Sequence, residues 1–519
     1  MSVYLPAMKN MIKAVYENKK YLLLSILISV LTMVPQYVYF ISFNRTIFIT
    51  TVLVLLFLFS ILSKVLFTIF TVYLNIINML VIHMNSTWGR VTILEPVVEL
   101  IYFSSKRESL EYLQKYISFI DIFIILHTAI VGYILYKFVR KYSLKFKPLK
   151  LTSLVLIILL LGGLHQIKGN ILKLMPLSLI HDYNMVVKRG TAFKDRNEFL
   201  NNKKIEKSKN EMIYDKVVLI MGESVNKNFM GLYNDKYKTT PFFSNIKNDI
   251  YTFNAIAPAT QTHLAIPLTL TETTHKDFDA FFKSKSIISD FKANEYKTYW
   301  ISNQEGAGGK HESSTTTIAR ESDFVSFQNY DVALTNPDEV LFDVLDEIEI
   351  NNNSKQMFVF HMMGSHADYD QRSTAEIRLH KNPKNLLEEY ENTIYYSDYF
   401  IEEVFKKFNN TNKNVLIIYT SDHSETLDEN TGGHGFYNSH KESVEIPLVM
   451  YSNIKNERLE DLLLENKNGF FNNESLYSII KYISSISEEK AVSKSPYFIS
   501  QNLENILDYT KLDYYYEHE

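Results

Sequence analysis

The 519-residue sequence contains no cysteine. This absence excludes disulfide bonds, thiolate metal sites and a cysteine nucleophile, but it does not define the cellular compartment. The formal net charge of −4 argues for neither a nucleic acid nor an acidic partner. The sequence has no internal repeat, and a chain of this length can hold more than one domain, because single cores rarely grow beyond about 250–300 residues.

Charged residues are also scarce in much of the first 168 residues, where apolar runs reach the length of a membrane span. About 20 helical residues cross the hydrocarbon core. Residues 46–84 carry one charge, Lys64, and as one helix they would be about twice as long as the core is thick. Two spans that turn near Ser63 and Lys64 fit better. A buried soluble helix could explain any single run, but five in succession favour a membrane domain. The predicted spans are about 21–42, 46–62, 65–84, 117–136 and 150–168.

Basic residues in the short loops predict the orientation of these spans. The segment 137–150 has six Lys or Arg and no acidic residue, whereas the loop 85–116 balances four basic with four acidic residues. The amino-terminal segment is also basic, so we place it in the cytoplasm with 137–150. Everything after about residue 168 then lies outside the cell membrane. The first apolar run lacks a small-residue cleavage site, so we expect a retained anchor.

The remaining sequence is typical of a soluble α/β domain. Residues 196–211 are polar and charged, and we predict a bridging segment and linker over 169–210 and an exported domain over 211–519. Apolar, β-branched runs then alternate with helical patterns, which indicates a sheet covered by helices on both faces. The strand-like runs are "KVVLIMGES", "KTYWIS", "QMFVFHMMG", "NVLIIYTSD" and "EIPLVMYS".

Polar residues follow several of these runs, at the edge of the sheet where ligands of α/β domains bind. Alone, each has an ordinary explanation: a helix cap, an ion-pair partner or a hydrogen-bonded core histidine. Together they supply oxygen and imidazole ligands without sulfur, which suits Zn²⁺ and tolerates Mn²⁺. The residues are Glu223, His361, His366, Asp422, His423 and His434.

A threonine-rich stretch at 257–273 contains the candidate nucleophile of a metal-dependent enzyme that acts on a phosphate ester. An apolar periodic segment begins within it, so Thr260 or Thr262 could stand at a helix amino terminus. The free N–H groups there favour an anion and would stabilise a threonine alkoxide. Either threonine could equally be a simple helix cap, and the residues alone do not choose between them.

The order and spacing of several motifs resemble the phosphoethanolamine transferases of Gram-negative envelopes, within the alkaline phosphatase and sulfatase superfamily. The resemblance covers about 240 residues, and this group includes lipid A modifying and polymyxin-resistance enzymes. It implies five spans followed by a periplasmic α/β/α sandwich, embedded in the bacterial inner membrane as an expected monomer. The motifs are "VVLIMGES", "GLYNDKYKTTPFF", "THLAIP", "HMMGSH", "SDHSETLDENTGGHGF" and "KESVEIPLVMYS".

The resemblance also implies roles for individual residues. Thr262 lies five residues before Pro267, as the family's nucleophile does, and is therefore preferred to Thr260. Glu223, Asp422 and His423 resemble the zinc ligands, which Thr262 completes, and a second zinc is an open alternative. His366 and His434 resemble the pair that contacts the transferred phosphate. The predicted substrate-binding residues are Ser104, Glu108, Asn303, Lys310, His361, His366 and His434.

The implied reaction transfers phosphoethanolamine from phosphatidylethanolamine to lipid A or another envelope glycan through a phospho-threonine intermediate. The alternatives are an exported phosphodiesterase or sulfatase-like hydrolase, a phosphoglycerol transferase, and a membrane receptor without activity. A sulfatase would need a "C/S-x-P-x-R" nucleophile run, and none is present. Family members usually brace the nucleophile loop with a disulfide, so this chain must hold Thr262 by hydrogen bonding and packing.

Overall fold

The computed structural model describes residues 13, 16–39, 45–88, 98, 117–142, 153–157, 179–201, 203, 205–304, 306, 313–328, 336–427, 432–435, 439–467, 469–500, 503 and 505–515. These residues form two compact units. In the sequence, the boundary between them lies between Val186 and Val187.

The first unit is helical. Its helices are Lys19–Tyr39, Arg45–Leu62, Lys64–Trp88 and Phe119–Lys141, and residues 153–157 are also helical. Ser63 separates the second helix from the third, at the position where the sequence predicts a turn. Most of the predicted fifth span, 150–168, lies outside the described residues. Within the described part of the chain, Phe119–Lys141 is the one helix long and apolar enough to cross a membrane, and Val52–Leu62 and Lys64–Leu80 are shorter apolar helices.

The second unit contains a mixed sheet of eight strands, in the order β10-β2-β9-β6-β1-β5-β3-β4. Two further pairs, β7 with β8 and β11 with β12, are separate antiparallel ribbons. The strands are β1 (Lys216–Gly222), β2 (Tyr251–Ile256), β3 (Lys297–Ser302), β4 (Phe324–Phe327), β5 (Gln356–His361), β6 (Val415–Ser421), β7 (Thr426–Leu427), β8 (Gly432–Gly433), β9 (Glu445–Ser452), β10 (Phe471–Asn472), β11 (Tyr497–Ile499) and β12 (Ile506–Asp508).

Helices cover both faces of this sheet, as the continuous apolar runs predict. All seven residues of β1 are buried; Val217 and Leu219 belong to one hydrophobic cluster and Val218 and Ile220 to the other. The predicted α/β/α sandwich is therefore confirmed for this unit. Its helices are Pro241–Asn245, Thr262–Leu270, Ile287–Ala293, Ser314–Ala319, Val340–Asp346, Leu386–Asn409, Glu457–Asn466 and Leu476–Ile483.

Strand β9 runs antiparallel to both β2 and β6. A parallel return normally needs a crossover helix. The described residues between β6 and β9 contain only β7, β8 and one 3₁₀ turn. Apolar runs of this length are compatible with either direction, so periodicity could not distinguish them.

The polar segment predicted as a linker begins inside a helix, Leu179–Asn201. Arg196, on that helix, is 1 % exposed. Its guanidinium donates to the carbonyl oxygens of Phe281 (2.8 Å) and Ser284 (2.7 Å) and to Glu321 Oε1 (2.7 Å). The last turns of this helix are therefore packed into the second unit.

Candidate active site

Two neighbouring strands place acidic residues side by side at the carboxyl edge of the sheet. Strands β1 and β6 are parallel, with Gly222 opposite Ser421 in their last register pair. The next residues along the two strands are Glu223 and Asp422, and His423 follows directly. Because both strands end at the same row, the sheet itself brings these side chains together, as the sequence predicts.

The side chains of Glu223, Asp422 and His423 form a buried cluster. Their ligand atoms all lie within 4.8 Å of one another, and the residues are 1 %, 0 % and 0 % exposed. His423 Nε2 lies 3.0 Å from Glu223 Oε1 and 3.5 Å from Asp422 Oδ2. Asp422 Oδ2 is buried and has no hydrogen-bond partner. A buried carboxylate oxygen without a partner is costly, and a cation bound between these three groups would satisfy it.

The electrostatics of the cluster also favour a cation. Burial and the charge of Glu223 raise the pKa of Asp422 to about 8. Burial opposes ionisation of Glu223 too, but the charge and hydrogen bond of His423 outweigh it and hold the pKa of Glu223 well below its ordinary value. Two carboxylates this close repel each other when both are ionised. The oxygen and nitrogen donors match those that zinc prefers, so the residues present fit the predicted metal.

The hydroxyl of Thr262 lies within hydrogen-bond distance of this cluster. Thr262 is the first residue of helix Thr262–Leu270, so it stands at a helix amino terminus. Its Oγ1 lies 3.1 Å and 3.3 Å from the two oxygens of Glu223 and 3.3 Å from His423 Nε2. Thr260, in contrast, is fully buried, and its hydroxyl has no hydrogen-bond partner. Of the two candidate threonines, the structure brings Thr262 to the cluster.

Backbone hydrogen bonds hold the loop that carries Thr262. The N–H of Thr260 donates to Ile499 O (3.1 Å), and the N–H of Ile499 donates to Pro258 O (2.9 Å). On the other side, the N–H of Ala257 donates to Val444 O (2.8 Å). The loop is thus fixed between the residue before β9 and the end of strand β11, without any cysteine.

Two further histidines lie next to the cluster, as predicted. The rings of His423 and His434 are 4.1 Å apart, and those of His366 and His434 are 6.3 Å apart. Glu425 orients His434, because its Oε1 accepts from His434 Nδ1 (3.1 Å) while its Oε2 accepts from the hydroxyl of Tyr369 (2.5 Å). Burial and the charge of His423 lower the pKa of His434. The sequence prediction gave no role to Glu425, although it is the second acid of "SDHSE".

The other predicted substrate-binding residues have different positions. Asn303 and His361 are fully buried at strand ends. The amide of Asn303 donates to Asn336 O and Asp338 Oδ1, and His361 Nδ1 lies 3.2 Å from Ser302 Oγ. Neither side chain joins the cluster. Three more predicted residues lie outside the described part of the chain: Ser104, Glu108 and Lys310.

Comparison with known proteins relates this site to a family of enzymes. A family model described as Sulfatase matches residues 215–488, more than half of the chain. Over 257 residues the chain is 27 % identical to phosphoethanolamine transferase EptA of Helicobacter pylori, covering 46 % of this chain and 47 % of that protein. It is 25 % identical over 268 residues to EptC of Escherichia coli, covering 46 % and 45 %. The chain spans about half the length of the curated relatives it matches.

Solved structures share the fold. The integral membrane protein lipooligosaccharide phosphoethanolamine transferase A (EptA) of Neisseria meningitidis superposes with a TM-score of 0.60 at 17 % identity, covering 89 % of this chain and 95 % of that one. The carboxyl-terminal periplasmic domain of Escherichia coli EptC, in complex with Zn, superposes with a TM-score of 0.52 at 20 % identity, covering 59 % and 96 %.

Proposed function

The chain belongs to the sulfatase family, and from this premise we propose that it is a metal-dependent phosphoethanolamine transferase. The observation that carries the proposal is the approach of the Thr262 hydroxyl to the buried cluster of Glu223, Asp422 and His423. The curated relatives that bear the name phosphoethanolamine transferase support this choice of reaction.

We propose that the first unit anchors the enzyme in the bacterial inner membrane through five spans, with the catalytic domain in the periplasm. The long apolar helix Phe119–Lys141, the five apolar runs of the sequence and the basic segment 137–150 support this topology. The similarity of fold to an integral membrane EptA is consistent with it. Both the lipid donor and a glycolipid acceptor would then be within reach of the enzyme.

Zinc would be held by Glu223, Asp422, His423 and Thr262. When bound, it would lower the pKa of the threonine hydroxyl and so favour the alkoxide. Glu223 is placed to accept the hydroxyl proton of Thr262 across 3.1 Å. His366 and His434 would contact the phosphoryl oxygens, where negative charge develops.

The reaction would proceed by two displacements at phosphorus. Thr262 Oγ1 attacks the phosphate of phosphatidylethanolamine, and diacylglycerol leaves with the electrons of the broken ester bond and a proton. Phosphoethanolamine remains on Thr262 until a hydroxyl or phosphate of lipid A, or of another envelope glycan, displaces it. The first half-reaction exchanges the lipid phosphate ester for a threonine phosphate ester. The second exchanges that ester for a new ester on a hydroxyl acceptor, or for an anhydride on a phosphate acceptor, and Thr262 regains its proton. The kinetics should therefore be ping-pong.

The test uses the purified full-length chain in detergent with zinc, fluorescent phosphatidylethanolamine and lipid A. We expect diacylglycerol release and a lipid A product that is heavier by one phosphoethanolamine group. Phosphatidylglycerol serves as the matched donor control and should not react. Diacylglycerol release at the same rate with and without acceptor, and no modified glycolipid, would contradict transfer and favour the hydrolase.

A further inference from the structure

The residue that follows Asn303 lies closer to the proposed metal site than Asn303 itself does. Strands β1 and β3 flank β5, and Met221, His361 and Ser302 form one row across the three strands. Glu223 lies two residues beyond that row after β1, and Gln304 lies two residues beyond it after β3. The side chain of Gln304 therefore has to reach across the end of β5 to contact Glu223.

Gln304 makes this contact with its amide nitrogen. Nε2 donates to Glu223 Oε2 (2.8 Å) and to Met362 O (3.1 Å). A carboxylate and a carbonyl can only accept, so the group between them must be the amide nitrogen and not the amide oxygen. Both N–H groups of the amide are thereby used, which fixes the orientation of the side chain.

The backbone beneath Gln304 is held just as firmly. Its N–H donates to Ser302 Oγ (3.1 Å), and the N–H of Asn303 donates to His361 O (2.9 Å). Asn303 Nδ2 in turn donates to Asp338 Oδ1 (3.0 Å). Asp338 is 2 % exposed and also accepts from the backbone of the residues after β5. Gln304 thus projects from a rigid strand end.

Neutral donors hold both oxygens of Glu223. Oε1 accepts from Ser224 Oγ (3.1 Å) and also lies 3.0 Å from His423 Nε2. Oε2 accepts from Gln304 Nε2 (2.8 Å) and also lies 3.1 Å from Thr262 Oγ1. The amide of Gln304 and the hydroxyl of Ser224 therefore fix the rotation of the carboxylate without adding charge beside it.

We propose that Gln304 is a positioning residue that holds the Glu223 carboxylate in the orientation that binds the metal. This inference rests on the proposed metal site. Partners that hold a metal ligand in place typically contribute 10–100-fold to metal affinity. A neutral residue of similar length without hydrogen-bond donors should therefore weaken metal binding while the protein still folds.

The experiment compares Gln304→Met with the wild-type full-length chain. Gln328→Met is the matched control, because Gln328 follows β4 and its amide donates to Ser326 Oγ (2.6 Å) rather than to Glu223. Zinc affinity is measured by competition with a chelator, and Co²⁺ substituted for zinc reports coordination through its visible absorption spectrum. We expect about 10–100-fold weaker zinc binding and an altered cobalt spectrum in Gln304→Met, and wild-type behaviour in Gln328→Met.

A zinc affinity and cobalt spectrum in Gln304→Met that match the wild type would overturn the inference, even if the wild type transfers phosphoethanolamine. Weaker zinc binding together with the altered spectrum would support it even if no transfer were found, so the two proposals can fail separately. Thermal unfolding of both variants in chelator shows whether the metal-free protein is folded. Equal loss of zinc in both variants would also contradict a specific role for Gln304.

Discussion

The substitution Gly364→Ala should disturb the candidate metal site, although Gly364 is not itself a proposed ligand. Gly364 has a φ of +51°, in the left-handed region, and follows the end of β5. A Cβ at this position would lie 2.8 Å from the backbone nitrogen of Glu223 and 2.9 Å from its carbonyl oxygen. Both contacts are with the backbone of a proposed ligand, so a side-chain rotation cannot relieve them.

The cost of the substitution has two parts. The left-handed conformation costs a non-glycine residue about 1–2 kcal/mol, and overpacking a close-packed interior costs about 1–3 kcal/mol. Together they predict a loss of about 2–5 kcal/mol in the free energy of unfolding. Relief of the closest contact, from 2.8 Å to the 3.4 Å of ordinary contact, requires a shift of about 0.6 Å. Such a shift would move Glu223 relative to Asp422 and His423.

The assay is thermal unfolding of the full-length chain in detergent, with zinc content measured on the same samples. We expect Gly364→Ala to lower Tm by roughly 4–10 °C at about 2 °C per kcal/mol, and to retain less zinc than the wild type. Gly469→Ala is the control, because a Cβ there would meet no atom within 4 Å. It should change neither property by a comparable amount. Wild-type Tm and zinc content in Gly364→Ala would refute the reasoning.

Three further predictions concern residues outside the cluster. Arg196→Ala removes the ion-pair partner of the Glu321 carboxylate, which keeps its hydrogen bonds from Ser286 and Ser289. We therefore expect a loss of about 3 kcal/mol in unfolding free energy, at the lower end for a broken buried ion pair; unchanged denaturant unfolding would contradict this. Burial lowers the pKa of His361 to about 4, below the roughly 6.5 of an exposed imidazole. Its neutral form therefore contributes stability that is complete above about pH 6.5 and is lost as the pH falls towards 4. The Tm of His361→Gln should thus fall less than the Tm of the wild type between pH 7 and 4.5. Equal decreases in Tm would contradict this role of His361. Ile499→Pro removes the N–H that binds Pro258 O and should lower turnover while zinc is retained; normal turnover would show that β11 does not hold the nucleophile loop.

The sequence predicts the sheet and the core of the site well, for a physical reason. Strands β1 and β6 are buried on both faces, so they appear in the sequence as unbroken apolar runs. The polar residues that follow each run show where the strand ends. Glu223 and Asp422 follow those ends, and parallel strands bring such positions to one edge. The local sequence pattern therefore determines which residues meet at the sheet edge, and the cluster could be predicted from the sequence alone.

Other features depend on contacts between distant segments, which no local pattern encodes. The pairing of Ile499 with the nucleophile loop joins residues about 240 positions apart. Gln304 resembles any polar residue after a strand, and its contact with Glu223 exists because β5 lies between β1 and β3. Glu425 stands within a recognisable motif, but its role requires the position of His434, which directly follows β8.

The most direct test of the proposed chemistry is the identity of the residue that becomes phosphorylated. The full-length enzyme is incubated with phosphatidylethanolamine and zinc without acceptor, and the protein is then analysed by peptide mass mapping. We expect one phosphoethanolamine group on Thr262, and we expect Thr262→Ala to lose both adduct and transfer while it keeps zinc, since three protein ligands remain. An adduct on Thr260, or normal transfer by Thr262→Ala, would contradict the account.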